Sequence, residues 1–137
     1  MSLREAWKTM KHEAEHILGR DLMRNVFGSQ DLGPTLDKVQ AKSDEFWRAT
    51  KRTKRDLDLP TKLNNELAAL VHQSTTKINY YSDYVSRILK QQHRQRQDLH
   101  DNWRRVVIKL KDGVEDRERK ARGWLDRELW TQRQRTR

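Results

Sequence analysis

No cysteine occurs in the 137 residues, which excludes a disulfide framework, a thiolate metal centre and a cysteine nucleophile. Proline and glycine are scarce, at two and five. So little tight-turn material weighs against an all-β chain, whose hairpins depend on such residues. No apolar run approaches the ~20 residues that a membrane-spanning helix needs. Apolar residues make up 34% and charged residues 36%, where a typical globular domain has about 45–50% and about 25%. A thick two-layer core is excluded, and elongated helices with narrow apolar seams are what remains.

What is present is positive charge. The chain carries 30 Lys and Arg against 20 Asp and Glu, a formal net of +10. The excess is uneven: residues 1–50 hold 8 basic and 8 acidic groups, and all of the surplus follows residue 50. Residues 85–111 alone hold 8 basic and 2 acidic groups. At the N-terminus, Met1 to Trp7 lacks the apolar stretch of a secretory signal, and Glu5, Glu13 and Glu15 are unlike an acid-poor transit peptide. The expectation is an intracellular protein that is not secreted, either cytoplasmic or, after removal of a presequence, mitochondrial.

Spacing predicts an all-α fold without a sheet: an elongated long-helix hairpin or bundle with coiled-coil-like seams. Leu3, Trp7, Met10, Ala14 and Ile17 mark a first helix over residues 2–18, capped by Ser2 with Glu5 three residues on. Leu22, Met23, Val26 and Phe27 mark a short second helix ending at Gly28. Residues 1–28 form a neutral N-terminal helical segment and 29–34 a linker. Residues 35–137 form the basic hairpin with its C-terminal helix and tail. Within it, one helix runs from Thr35 to about Leu57 on Leu36, Val39, Ser43, Phe46, Thr50, Thr53 and Leu57, and Pro60 breaks or restarts the path. A longer helix then runs from residue 61 to 111 on Leu63, Leu67, Leu70, Ser74, Ile78, Tyr81, Val85, Ile88, Leu99, Trp103, Val106 and Leu110. Residues 106–114 also read as a strand entering an Asp112-Gly113 turn, but the charged residues after it cannot supply a partner strand. Gly113 is then a kink or break before a last helix over 114–131. Polar intervals at Ser74, Lys90–Asp98 and Lys111–Lys120 thin the seam, so the long helix is expected to need cover on both flanks.

One catalytic pattern occurs. His12-Glu13-Ala14-Glu15-His16 fits H-E-x-x-H, in which two histidines one helical turn apart hold zinc and the glutamate acts as base. The pattern resembles that of zinc metallopeptidases, and Gly19 falls where the metzincin extension has glycine. Leu22 stands where the third histidine belongs, and eleven residues before the motif are too few for the substrate-presenting sheet. Both histidines also lie opposite the Leu3/Trp7/Met10 seam. No metal, cofactor or catalytic residue is therefore expected.

Five tryptophans are many for so polar a chain. Trp and Arg are enriched in interface hot spots, and the C-terminal third combines them. Trp103, Arg104, Arg105, Trp124, Trp130, Arg133, Arg135 and Arg137 form the expected partner interface. Trp124 and Trp130 are six residues apart, about 240° around a helix, so one seam cannot bury both. The expected function is that of a non-enzymatic structural or accessory subunit of a larger intracellular multiprotein complex. It would act through protein–protein contacts, without a small-molecule substrate. Two alternatives share the basic clusters Lys51, Arg52, Lys54, Arg55, Arg94 and Arg96 as phosphate-binding residues: a nucleic-acid-binding component of a ribonucleoprotein meeting RNA, and a BAR-like module meeting anionic lipid.

Overall fold

The computed structural model of the chain describes residues 2–28, 32–52 and 56–135. Among the described residues five helices follow one another: α1 (Leu3–Leu18), α2 (Arg20–Phe27), α3 (Gly33–Arg52), α4 (Asp58–Gln92) and α5 (Gln97–Arg135). The described residues contain no strand, and residues 106–114 are helical within α5.

α4 and α5 form the backbone of the molecule, 35 and 39 residues long, or about 52 and 58 Å at 1.5 Å per residue. The four-residue connection 93–96 returns α5 antiparallel along α4. The indole N–H of Trp103 on α5 donates to the carbonyl of Ser82 on α4 at 3.3 Å. α3 lies along the other end of this hairpin, parallel to α5. Arg117 Nε donates to Gln40 Oε1 at 2.7 Å, and further along Phe46 and Trp47 meet the Trp124 ring. α1 packs on α3, α4 and α5, and α2 turns back on α1 after Gly19.

The termini of the elements follow from local chemistry. Ser2 Oγ accepts the Glu5 N–H at 3.1 Å and caps α1. Gly19 ends α1 at φ +81°, a backbone conformation that side chains disfavour, and its N–H donates to the Glu15 carbonyl. Pro60 lies in the first turn of α4, where no N–H is required of it. It marks where the path restarts as α4. Leu57, read as the end of α3, instead immediately precedes α4, and its carbonyl accepts the Thr61 N–H. Leu32 and Gly33, read as linker, are buried, and Gly33 begins α3. Residues 29–31 and Thr53 lie outside the described residues.

The predicted 51-residue helix is corrected in two places. It breaks at His93–Arg96, where Arg96 N–H turns back to the His93 carbonyl, and it continues through Gly113. Gly113 is a point of close approach between helices. A Cβ there would sit 3.2 Å from Leu3 Cδ2 of α1, so glycine lets the start of α1 settle on α5. The Gly113 carbonyl also accepts from Arg117 Nη1 at 2.7 Å.

One apolar cluster runs through the molecule, from Leu3 and Trp7 of α1 to Ala121 of α5. It includes buried residues of all five helices, the N-terminal segment among them. Trp7, Phe27 and Tyr81 form its aromatic centre: the Phe27 and Tyr81 rings stack at 4.5 Å, and Trp7 lies 5.7 Å from Tyr81 and 5.9 Å from Phe27. The thin seams of α4 and α5 are covered by α1 and α2 near this centre and by α3 towards the other end. Ser74 is fully buried in the seam, and its hydroxyl donates to the Leu70 carbonyl at 2.8 Å. At the surface, Lys42 Nζ of α3 lies 2.8 Å from Glu66 of α4 and 3.1 Å from Glu45. These hydrogen bonds raise the lysine pKa and lower that of Glu66. Arg4 pairs with Asp37 at 3.1 Å where α1 meets α3.

Candidate functional site

Helical phase decides which of the expected interface residues reach the surface. Trp103 lies on the inner stripe of α5 with Leu99, Val107 and Leu110, and is 2% exposed. It is a core residue, unavailable to a partner. Trp124 is half-buried and edge-on to Phe46 and Trp47 at 5.8 and 6.3 Å. Trp130, 240° further round α5, is 62% exposed. Arg104, Arg105, Arg133 and Arg135 are exposed, and Arg105 donates to Asn102 Oδ1 at 2.7 Å. Trp130 is 26 residues beyond Arg104, about 39 Å along the helix, so the set divides into two surfaces. Arg137 lies outside the described residues.

The phosphate-binding alternative is likewise divided. Exposed Lys51 and Arg52 end α3, whereas Arg94 and Arg96 sit in the α4–α5 turn at the opposite end of the bundle. Lys54 and Arg55 lie outside the described residues. Arg96 is engaged locally: its guanidinium gives Asp98 two hydrogen bonds, of 3.0 and 2.9 Å. His12 and His16 are exposed, and the described residues contain no group of three or more His, Cys, Asp or Glu placed to hold a metal ion. The three tyrosines diverge as well: Tyr81 is core, Tyr84 is half-buried against it, and Tyr80 is 60% exposed.

What the fold does bring together is a groove of about 460 Å³ lined only by α4, α5 and their connecting turn. Asn79, Ser82 and Ser86 make the α4 wall, and Arg104, Ile108 and Lys111 the α5 wall. Lys90 and Arg94 close the end nearest the turn, and Leu89, Trp103 and Val107 lie beneath. Ser82 and Ser86 each follow a core residue, Tyr81 and Val85. They therefore point about 100° around α4 from the side that Trp7 and Phe27 cover. Four cations and one carboxylate, Asp101, line the groove. Asp101 accepts from Gln97 Nε2 at 2.9 Å. None of Lys90, Arg94, Arg104 and Lys111 has a carboxylate partner among the described residues. Ile108, 48% exposed, stands on the α5 wall beside Arg104.

This groove joins Arg94 and Arg104, which sequence reasoning had assigned to different functions. It also adds Lys90, Lys111, Ile108 and the small polar residues of α4, which had been missed. The basic surplus of residues 85–111 was the available signal. The turn that folds the segment on itself was not recognised.

The turn has a pH-dependent brace. Hydrogen bonds from Arg96, helped by the Leu99 amide, hold the Asp98 carboxyl down to about 2. A depressed folded-state pKa contributes stability that is present above the unfolded value of about 3.9 and is lost as pH falls through the folded value. Amides in the first turn of α5 are therefore expected to lose hydrogen-exchange protection between about pH 4 and pH 2. Asp98→Asn should remove the dependence in that window. Both side chains are exposed, so global stability should change little.

No family model matches the chain, and neither the curated proteins nor the solved structures include a significantly similar one. No helix among the described residues is long and apolar enough to cross a membrane.

Proposed function

We propose that this protein acts by binding, as a non-enzymatic helical subunit of a larger intracellular multiprotein assembly. The observation that carries the reading is Trp130. This large aromatic is 62% exposed in the penultimate turn of α5, among the exposed cations Arg127, Arg133 and Arg135. An indole left in water forgoes the roughly 1.5–3 kcal/mol that burying a large apolar side chain contributes. Tryptophan flanked by arginine is the composition of an interface hot spot. Bidentate arginines around it would take carboxylates of the partner.

The test is Trp130→Ala in the full chain, expressed in its native source and followed by gentle sedimentation. The variant is expected to keep its helicity and to leave the large assembly with which the parent chain migrates. If the parent chain migrates alone, or the variant assembles normally, the reading is wrong.

A further inference from the structure

We infer that the groove between α4 and α5 is the seat of an acidic amphipathic helix supplied by a protein partner. The inference rests on the reading of the chain as a binding protein, but it concerns a different surface from Trp130.

The groove's length, charge and chemistry each narrow the occupant. It extends along α5 from Gln97 to Lys111 and along α4 from Asn79 to Lys90, with Arg94 of the turn at its end. Fifteen or so residues of helix are about 22 Å long, so a four-turn helix fits its length. Two antiparallel helices present a furrow into which the side-chain ridge of a third can pack. On the α4 side that furrow is recessed, because Asn79, Ser82 and Ser86 are small.

Lys90, Arg94, Arg104 and Lys111 line the groove without carboxylate partners among the described residues, and an anionic occupant would supply them with charge-assisted hydrogen bonds. Four separate cations spread along the walls suit carboxylates repeated along a helix. Ile108, exposed beside Arg104 and Arg105, adds an apolar contact for a leucine of the occupant.

The same lining disfavours the other anions. Single-stranded nucleic acid is held by bases stacking on exposed aromatics, and the lining offers no exposed Trp, Tyr or Phe: Trp103 is 2% exposed and committed to Ser82. A bilayer presents a broad, flat surface to basic and apolar side chains, whereas the small residues Asn79, Ser82 and Ser86 leave the α4 side of this furrow recessed.

Three probes distinguish the occupants: a synthetic 15-residue helical peptide with leucine along one face and glutamate elsewhere, a 15-nucleotide oligouridine, and phosphatidylcholine vesicles containing phosphatidylserine. Each is titrated into the isotope-labelled full chain at two salt concentrations. The peptide is expected to bind most tightly and to shift the Trp103 indole and the Ser82 and Ser86 amides. Its affinity should fall about tenfold or more in Arg94→Glu/Arg104→Glu and again in Ile108→Asp. All three positions are exposed, so circular dichroism should remain that of the parent. Absence of peptide binding, shifts confined to another surface, an intact affinity in Ile108→Asp, or tighter binding of oligouridine or vesicles would each overturn the inference. Assembly lost in Trp130→Ala but kept in the groove variants would refute the groove and leave the subunit reading standing.

Discussion

Trp7→Ala is expected to destabilise the chain by about 3–5 kcal/mol, the range for truncating a fully buried tryptophan. Trp7 is 1% exposed and touches the Phe27 and Tyr81 rings, so one side chain of α1 ties α2 to α4. Its removal leaves a cavity bordered by two aromatic rings. Those rings already stack on one another at 4.5 Å with planes 21° apart and cannot both turn to fill it. Net stabilities of small domains are about 5–15 kcal/mol, so this single change removes a large share. Guanidinium unfolding measures it, with Trp130→Ala as the internal contrast. That exposed residue should change stability by no more than ~0.5 kcal/mol. A loss below about 1 kcal/mol for Trp7→Ala would mean that α1 and α2 do not share the core of α4 and α5.

Much of this core is legible from spacing alone. Leu3, Trp7, Met10, Ala14 and Ile17, and on α4 Leu63, Leu67, Ile78, Tyr81 and Val85, are buried where the 3-4 pattern puts them. The α4–α5 turn is not legible from periodicity, for a definite reason. The seam as read passes from Ile88 to Leu99, eleven residues or close to three turns of helix, although Leu89 rather than Ile88 is the buried residue. A seam read through the turn keeps its phase, and His93-Arg94-Gln95-Arg96 contains no glycine or proline to mark it. The informative feature was the unbroken polar run from Lys90 to Asp98, which leaves a straight helix nothing to bury for more than two turns. Gly113 misleads in the opposite sense. Glycine costs about 1 kcal/mol in a helix interior, but Val114, Leu110 and Val107 are buried around it, and packing outweighs so small a preference.

The surfaces follow the same logic. The six-position step from Trp124 to Trp130 is enough to place one against Phe46 and the other in water, a separation that helix geometry dictates. Trp103 looked amphipathic beside Arg104 and Arg105, but a tryptophan's neighbours in sequence do not share its face on a helix. Its register with Leu99, Val107 and Leu110 was the better guide. The groove could not be read from the sequence because Arg94 and Arg104 become neighbours only once the turn between them is known.

Asn64→Leu is expected to stabilise the protein, by about 1–2 kcal/mol. Asn64 is 3% exposed on α4, next to Leu63 and one turn before Leu67. Its side-chain nitrogen is buried without a hydrogen-bond partner among the described residues. A buried donor without a protein partner costs about 1–3 kcal/mol. Leucine keeps the branch at Cγ, replaces the amide by two methyl groups and is also the better helix former. The added volume offsets part of the gain, since overpacking has its own cost. Asn64→Asp should act in the opposite direction, because an ionised carboxylate in the same place cannot regain its hydration. Urea unfolding of the three chains provides the check: the midpoints should rank leucine above asparagine above aspartate, with the slope unchanged so that the shift reports stability alone. A lower midpoint for leucine would show that the amide makes a bond worth more than the donor's burial costs, with ordered water its remaining partner.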